Sequence, residues 1–315
     1  MFSGTLTQAP SQYFRFLARG PERQRSHLLE RLLARAENHA PVDDWRADAF
    51  RIIAPQADSV PGVGAAVLCA DRGAADIACA MESSWVCVAT PVHYIAEMSN
   101  VRLPQDGMLA LSMASAEMLA ADFNRVWQGS GISLLAARSA QLLCTFDRPL
   151  TVSTRDPQDA LGLHIEEFLP TGADSPRLRQ LISETEMWLF EHSANQARGE
   201  LRQPAVNGLW FWGGGAPLSS LPTVQGWAAG DDVFFNAVGR PRDEHGASGV
   251  IAAGSGPGSA GWHQAESWLE AAAKQLRAGR ISRLQISAED RCFTVTARGL
   301  TRFWRRRKPW WEWFG

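Results

Sequence analysis

Helical and strand-like spacings of hydrophobic residues alternate along the whole chain. Residues 22–38, ERQRSHLLERLLARAEN, set Leu28, Leu29, Leu32 and Leu33 on one face, a spacing that predicts an amphipathic helix. A second short helix is expected over 44–53. Three apolar runs read as buried strands: GVGAAVLCA (62–70), WVCVATPVHYI (85–95) and GMLALS (107–112). Ser115 stands where it can N-cap an amphipathic helix in AEMLAADFNRVW. GISLLAAR and QLLCTF form two arms of a hairpin around Ser139. Pro176 opens a helix, PRLRQLISETEMWLFEHSA, at a first-turn position that tolerates its missing N–H.

The second half continues the alternation. NGLWFWGGG reads as a strand running into a turn, and PTVQGWAAGDDVFFNAVGR as strand, turn and short helix. Residues 239–261 are rich in Gly, Ser and Pro and read as a linker or mobile loop. A helix over 262–278 and strands RLQIS and CFTVTA close the pattern. No internal repeat is present. Interleaved helices and strands predict an α/β class, a layered α/β or α+β fold with a mixed sheet flanked by helices. The expected segments are a helical N-terminal part (1–60), an α/β core carrying the Trp-Gly motif (61–238), the Gly/Ser-rich loop (239–261), and a helix, hairpin and tail (262–315).

Composition adds limits. With 315 residues, 45% hydrophobic and 20% charged, the chain can bury an ample core. A net charge of -2 supplies no global attraction to nucleic acid or an acidic membrane. Cys69, Cys79, Cys87, Cys144 and Cys292 are odd in number, form no CxxC and lie mostly in apolar runs. They read as buried free thiols in a reducing compartment. No stretch reaches the length of a membrane span, so a soluble cytoplasmic protein is expected.

Most candidate chemistry is weak. The seven histidines make no HxH, HExxH or zinc-spaced pair with cysteine, and no metal or cofactor is expected. DEHG (243–246) reads better as a solvated turn than as a metal site. No GxSxG elbow occurs, and GSGPGS (254–259) lacks the GK[ST] of a phosphate loop. Glu184 and Glu191 share a side of the predicted helix, which a solvated face explains as well as acid–base work does. His192 near the end of that helix could equally partner its dipole.

EHSANQARGELRQPAVNGLWFWGGG is more informative. His192, Asn195, Arg198 and Asn207 lie between a helix end and an apolar strand, and Arg and Asn are directional donors suited to phosphate or carboxylate. The glycines let backbone approach a ligand or a neighbouring strand. The alternative is structural: the same side chains tie the loop to backbone carbonyls while the tryptophans fill core. The C-terminal tail sets Arg305, Arg306, Arg307 and Lys308 among Trp310, Trp311 and other aromatics, a mixture suited to anionic surfaces. A protein partner is the expected occupant, ahead of nucleic acid or membrane.

At this segment the chain resembles the bacterial RpfE-type regulatory family, whose members are often labelled phosphoglycerate mutases. The shared pattern is H-P-x-N-x-x-R, a short gap, then A-N-x-I-W-L-W-G-x-G. His192, Asn195, Arg198, Asn207, Trp210, Trp212, Gly213 and Gly215 match it, while Ser193 replaces proline and Phe211 replaces leucine. ATPVHY, which carries His93, resembles the family's A-D-P-V-H-L segment with Thr90 in place of Asp. The archaeal-type cofactor-independent mutase shares the Trp-Gly pattern. The resemblance implies a fold related to a subdomain of that enzyme. The mutase's N-terminal Asp-Gly metal motif and histidine clusters have no counterpart here. The expected function is therefore a non-catalytic regulatory or adaptor role, binding a small anionic metabolite or a protein. The expected ligand site is His93, His192, Asn195, Arg198 and Asn207, walled by Trp210 and Trp212 with Gly213 and Gly215 beside them. A degenerate metal-dependent phosphotransfer enzyme is the rival, and an assembly protein docking through its basic aromatic tail is a third reading.

Overall fold

The computed structural model describes residues 9–18, 24–71, 84–241, 248–254, 256 and 261–314. The DEHG segment, most of GSGPGS and Cys79 lie outside them. The chain forms two compact units, one of residues 1–60 with 222–315 and one of residues 61–221. Mixed sheets and helices make the fold α/β.

The first unit begins with strand β1 (Ser11–Phe16), helix α1 (His27–Ala34), β2 (Asn38–Pro41) and helix α2 (Trp45–Ile53). Ser26 and Asp44 cap the two helices, accepting from Leu29 N and Ala47 N. Of the predicted α1 face, Leu29, Leu32 and Leu33 are buried, and the helix stops at Ala34.

The second unit opens with α3 (Val63–Asp71), where the apolar run had read as a strand. Val63 through Leu68 are all buried, so no polar period distinguishes helix from strand there. It continues with β3 (Trp85–Val92), the short β4 (Ile95–Ala96) and β5 (Val101–Leu103), and helix α4 (Met113–Val126). The expected strand at 107–112 is reduced to one bridge, Met108 to Val92. The cap of α4 is Ser112, accepting from Ser115 N, one turn before the expected Ser115. Strands β6 (Ile132–Ala136) and β7 (Leu142–Phe146) form the predicted hairpin, antiparallel from Ile132–Phe146 to Ala136–Leu142.

After the two-residue β8 (Leu163–His164), the single helix expected over 176–194 is two: α5 (Ser175–Phe190) and α6 (Ser193–Glu200). His192 breaks them by taking an extended backbone, φ -71° and ψ 135°, and capping α6 with its own ring. Strand β9 (Gly208–Gly215) completes an antiparallel sheet of order β6-β7-β3-β9. Trp85, Cys87 and Ala89 of β3 and Leu209 and Phe211 of β9 face the core formed with Leu119, Phe123, Leu178 and Leu181 of α4 and α5.

The chain then returns to the first unit through β10 (Trp227–Gly230) and α7 (Val233–Val238). Strand β11 (Gly249–Ala253), fully buried, runs through the segment expected to be a loop. Its GVIAA core is too short to outweigh the flanking Gly and Ser in a composition reading. Helix α8 (Trp262–Arg277), β12 (Arg283–Ala288) and β13 (Arg291–Thr296) finish the unit. The six-stranded sheet has the order β10-β11-β1-β12-β13-β2, parallel from β10 to β12 and antiparallel beyond.

Trp310 belongs to this core. It is 1% exposed, meets Phe16 edge-on at 5.6 Å and donates its indole N–H to Gln24 O at 2.8 Å. Part of the tail expected to be a docking surface is therefore core. Trp310→Ala is expected to cost about 3–5 kcal/mol in urea unfolding, and a loss below about 1 kcal/mol would place the tail outside the cooperative core.

Candidate functional site

The Trp-Gly strand is held from both sides. Its partner β3 pairs Ala89 with Phe211 and Thr90 with Trp210. The tryptophans lie on the face opposite the α4–α5 core and are 6% and 5% exposed. Trp210 donates its indole N–H to Arg155 O at 2.7 Å, and Trp212 donates to Thr90 Oγ1 at 2.8 Å. Both indole donors are thus used inside the protein. Gly213 adopts a left-handed backbone (φ +64°), where a Cβ would also stand 2.6 Å from Val63 Cβ, and a Cβ on Gly214 would run into the Trp85 ring. Gly215 lies against Gly62. The glycines admit helix α3 and a neighbouring indole.

The polar residues upstream serve the backbone. Asn207 accepts from Tyr94 N at 2.7 Å and donates to Tyr94 O at 2.9 Å. Asn195 accepts from Val206 N at 2.8 Å and donates to Val206 O and Leu189 O at 2.9 and 2.8 Å. Each carboxamide uses its donor and its acceptor on one residue's N–H and C=O, as a neighbouring strand would. His93 Nδ1 lies 2.9 Å from Ala205 O. His192 accepts from Ala194 N through Nδ1 and packs edge-on to Trp188 at 4.7 Å. Its Nε2 is 3.2 Å from Asp122 Oδ2, an ion-pair distance without hydrogen-bond geometry. Asn207, Trp210, Trp212 and His93 therefore do not meet Arg198 in one open site.

Asn195 and Arg198 do border a cavity of about 300 Å³ between α4 and α6. Leu111, Met118, Leu119, Leu189, Leu201 and Val206 give it an apolar lining, with Ser112, Ser115 and Gln203 as further polar groups. Met118 and Leu201 are 41% and 69% exposed, so the lining continues to the surface. Arg198 Nε donates to Pro204 O at 2.7 Å, and among the described residues no carboxylate pairs with the guanidinium. Burial lowers its pKa from the ordinary arginine value. The arrangement is a cation on an apolar wall, suited to an anion with an apolar body.

Of the carboxylates on the helix 175–190, Glu184 accepts from Gln180 at 2.8 Å on an exposed face, while burial alone raises the pKa of Glu186. Among the described residues no three His, Cys, Asp or Glu side chains gather as a metal site would require. Arg305, Arg306 and Arg307 are exposed, Lys308 and Trp311 partly so, and Trp310 is buried.

One buried polar group escaped the sequence reading. Arg46 donates through Nε and Nη2 to Asp232 Oδ2 at 2.9 and 2.6 Å, while Asp232 Oδ1 caps α7. Asp232 precedes a hydrophobic run, as a helix cap does, but nothing local links it to a residue 186 positions away.

Asn207→Asp replaces a donor by a second acceptor facing Tyr94 O. It is expected to lower stability by about 1–3 kcal/mol at neutral pH. An aspartate so placed has a raised folded-state pKa, so the deficit is largest at neutral pH. It shrinks as pH falls from that raised pKa toward about 4 and is absent below, where the carboxyl is protonated in both states and regains a donor. Urea titrations of both proteins at several pH values read this difference, and an equal deficit at every pH would contradict the bonding described.

No protein-family model matches the chain, and no curated protein is similar enough to match. Among solved structures, the cofactor-independent phosphoglycerate mutase from Thermoplasma acidophilum is 12% identical at a TM-score of 0.36, over 91% of this chain and 90% of its own. The PH0037 protein from Pyrococcus horikoshii is 11% identical at a TM-score of 0.37, over 91% of this chain and 87% of its own. Likenesses this distant carry nothing about activity, and the site stands on its own geometry.

Proposed function

We propose that the chain is a non-catalytic regulatory or adaptor protein of RpfE type that binds a small amphipathic anion in the cavity between α4 and α6. The observation that carries this reading is Arg198, a cation with no carboxylate partner among the described residues, on a largely apolar wall. A carboxylate or phosphate monoester would take the guanidinium by charge-assisted hydrogen bonds, and its apolar body would cover Leu111, Leu119 and Val206. Asn195 would hold the wall without touching the ligand, since its carboxamide is spent on Leu189 and Val206.

The regulatory part of the proposal comes from the matched residues His192, Asn195, Arg198, Asn207, Trp210 and Trp212. The use of Asn195, Asn207, Trp210 and Trp212 as scaffold fits a protein in which that segment positions Arg198 and performs no bond-making.

Isothermal titration with decanoate and with decyl phosphate tests the proposal. Binding is expected for the intact protein and a roughly 10–100-fold weakening for Arg198→Ala. The variant's circular dichroism and melting should stay close to wild type, because only the bond to Pro204 is lost. No heat at millimolar probe with a folded protein, or equal affinity in the variant, would remove this site.

A further inference from the structure

Outside the cavity, the strongest unexplained feature is a collection of guanidinium groups at the C-terminal end of α1. Arg31 and Arg35 lie one turn apart on that helix, and Arg277 ends α8, which packs beside it. The tail crosses the same helix end. Arg302 Nη2 reaches Glu37 Oε1 at 3.5 Å and Arg305 Nη1 donates to Ala36 O at 2.7 Å, which anchors the segment that carries Arg306 and Arg307. Among the described residues, no carboxylate forms an ion pair with Arg31, Arg35, Arg277, Arg306 or Arg307. Glu270 is the acidic group that acts on Arg31, and it is held by Lys274 at 3.1 Å. Arg31 Nε is buried with no hydrogen-bond partner among the described residues.

Electrostatics agrees with the placement. Burial lowers the pKa of Arg31, and so do Arg277, Arg35 and Arg307 in turn. Burial likewise lowers that of Arg35, followed by Arg307 and Arg277. These groups repel one another across a chain whose net charge is only -2, so the positive field is local.

Between Arg302 and Arg305 stand two large aromatic side chains turned to solvent. Phe303 is 80% exposed and Trp304 66%. Farther along the tail, Trp310 and Phe314 are buried at 1% and 7%, so the exposed pair sits on an anchored segment. Their rings meet edge to face, centroids 5.4 Å apart and planes at 82°. Two crossed rings offer no pair of parallel faces for successive stacked bases. Exposed Phe and Trp beside arginines instead match a bilayer interface, where rings enter the headgroup region and guanidinium groups meet lipid phosphates.

We propose that Arg31, Arg35, Arg277 and Arg307, with Phe303 and Trp304, form a peripheral docking surface for an anionic phospholipid membrane. The arginines supply the attraction to headgroup phosphates, and the two rings supply shallow insertion. No helix among the described residues is long and apolar enough to cross a membrane. The surface uses none of the residues around the cavity of the other unit.

Flotation of the full chain with vesicles of phosphatidylcholine, alone or mixed with phosphatidylglycerol, tests this. Binding is expected to the mixed vesicles only and to weaken with added salt. Arg35→Gln and Arg307→Gln are each expected to weaken it about fivefold. The double variant Phe303→Ser with Trp304→Ser should weaken it about tenfold or more while its melting temperature stays unchanged, since both rings are exposed. A brominated lipid should quench part of the wild-type tryptophan emission, and Trp304→Phe should remove that part. Absence of flotation, or flotation equal in all variants, overturns the proposal. Binding of inorganic tripolyphosphate without vesicles would reveal a free-phosphate site and also overturn it. So would tighter binding to a single-stranded oligonucleotide than to the anionic vesicles.

Discussion

The second unit depends on how closely helix α3 approaches strands β3 and β9. A Cβ on Gly64 would stand 2.6 Å from Cys87 Cα, and one on Gly213 would stand 2.6 Å from Val63 Cβ. The helix can therefore lie on the sheet only where side chains are absent. Once it does, β9 is pinned along β3, and Trp210 and Trp212 are carried to positions where Arg155 O and Thr90 Oγ1 accept their N–H groups. Close packing of this kind leaves little room for a ligand in the same place. The glycines that looked fit to cradle an anion are filled by protein.

The same unit closes its loops with asparagine. Asn124 pairs with Leu134, Asn195 with Val206 and Asn207 with Tyr94, each through one donated and one accepted bond to the partner's backbone. Buried N–H and C=O groups must find partners, and a carboxamide supplies both where no strand is available. Aspartate or leucine would leave at least one of the two groups unpaired. This use of Asn195 and Asn207 accounts for their position near a conspicuous motif, and it separates them from Arg198. Of the polar set, Arg198 stands beside a cavity with no carboxylate partner among the described residues.

Much of the fold was legible because local signals agreed with tertiary demand. The hairpin around Ser139, the helix over 262–278 and the apolar run of β3 carry strong signals, and all stand in the structure. The failures have physical causes. In 62–70 every residue is small or apolar, so helix and strand leave the same pattern. In 239–261 a five-residue buried strand is hidden by Gly and Ser on both sides. The helix break at 191–192 comes from a histidine acting as an N-cap, a role its sequence position does not announce. At the site, the sequence singled out residues 192–215 and left open whether their polar groups faced a ligand or the backbone. The cavity lining at the start of α4 and just before it, Leu111 to Leu119, could not be linked to Arg198 by spacing, because Arg198 lies on a separate helix.

The central claim is that the motif is scaffold and that Arg198 beside it is where an anion would bind. Side-chain NMR during a decanoate titration tests it most directly. The account predicts that the Trp210 and Trp212 indole and Asn207 carboxamide signals stay in place and exchange slowly with solvent, while the Arg198 Nε–H signal shifts in a saturable way. Ligand-dependent movement of the indole and Asn207 signals, with Arg198 unchanged, would contradict it.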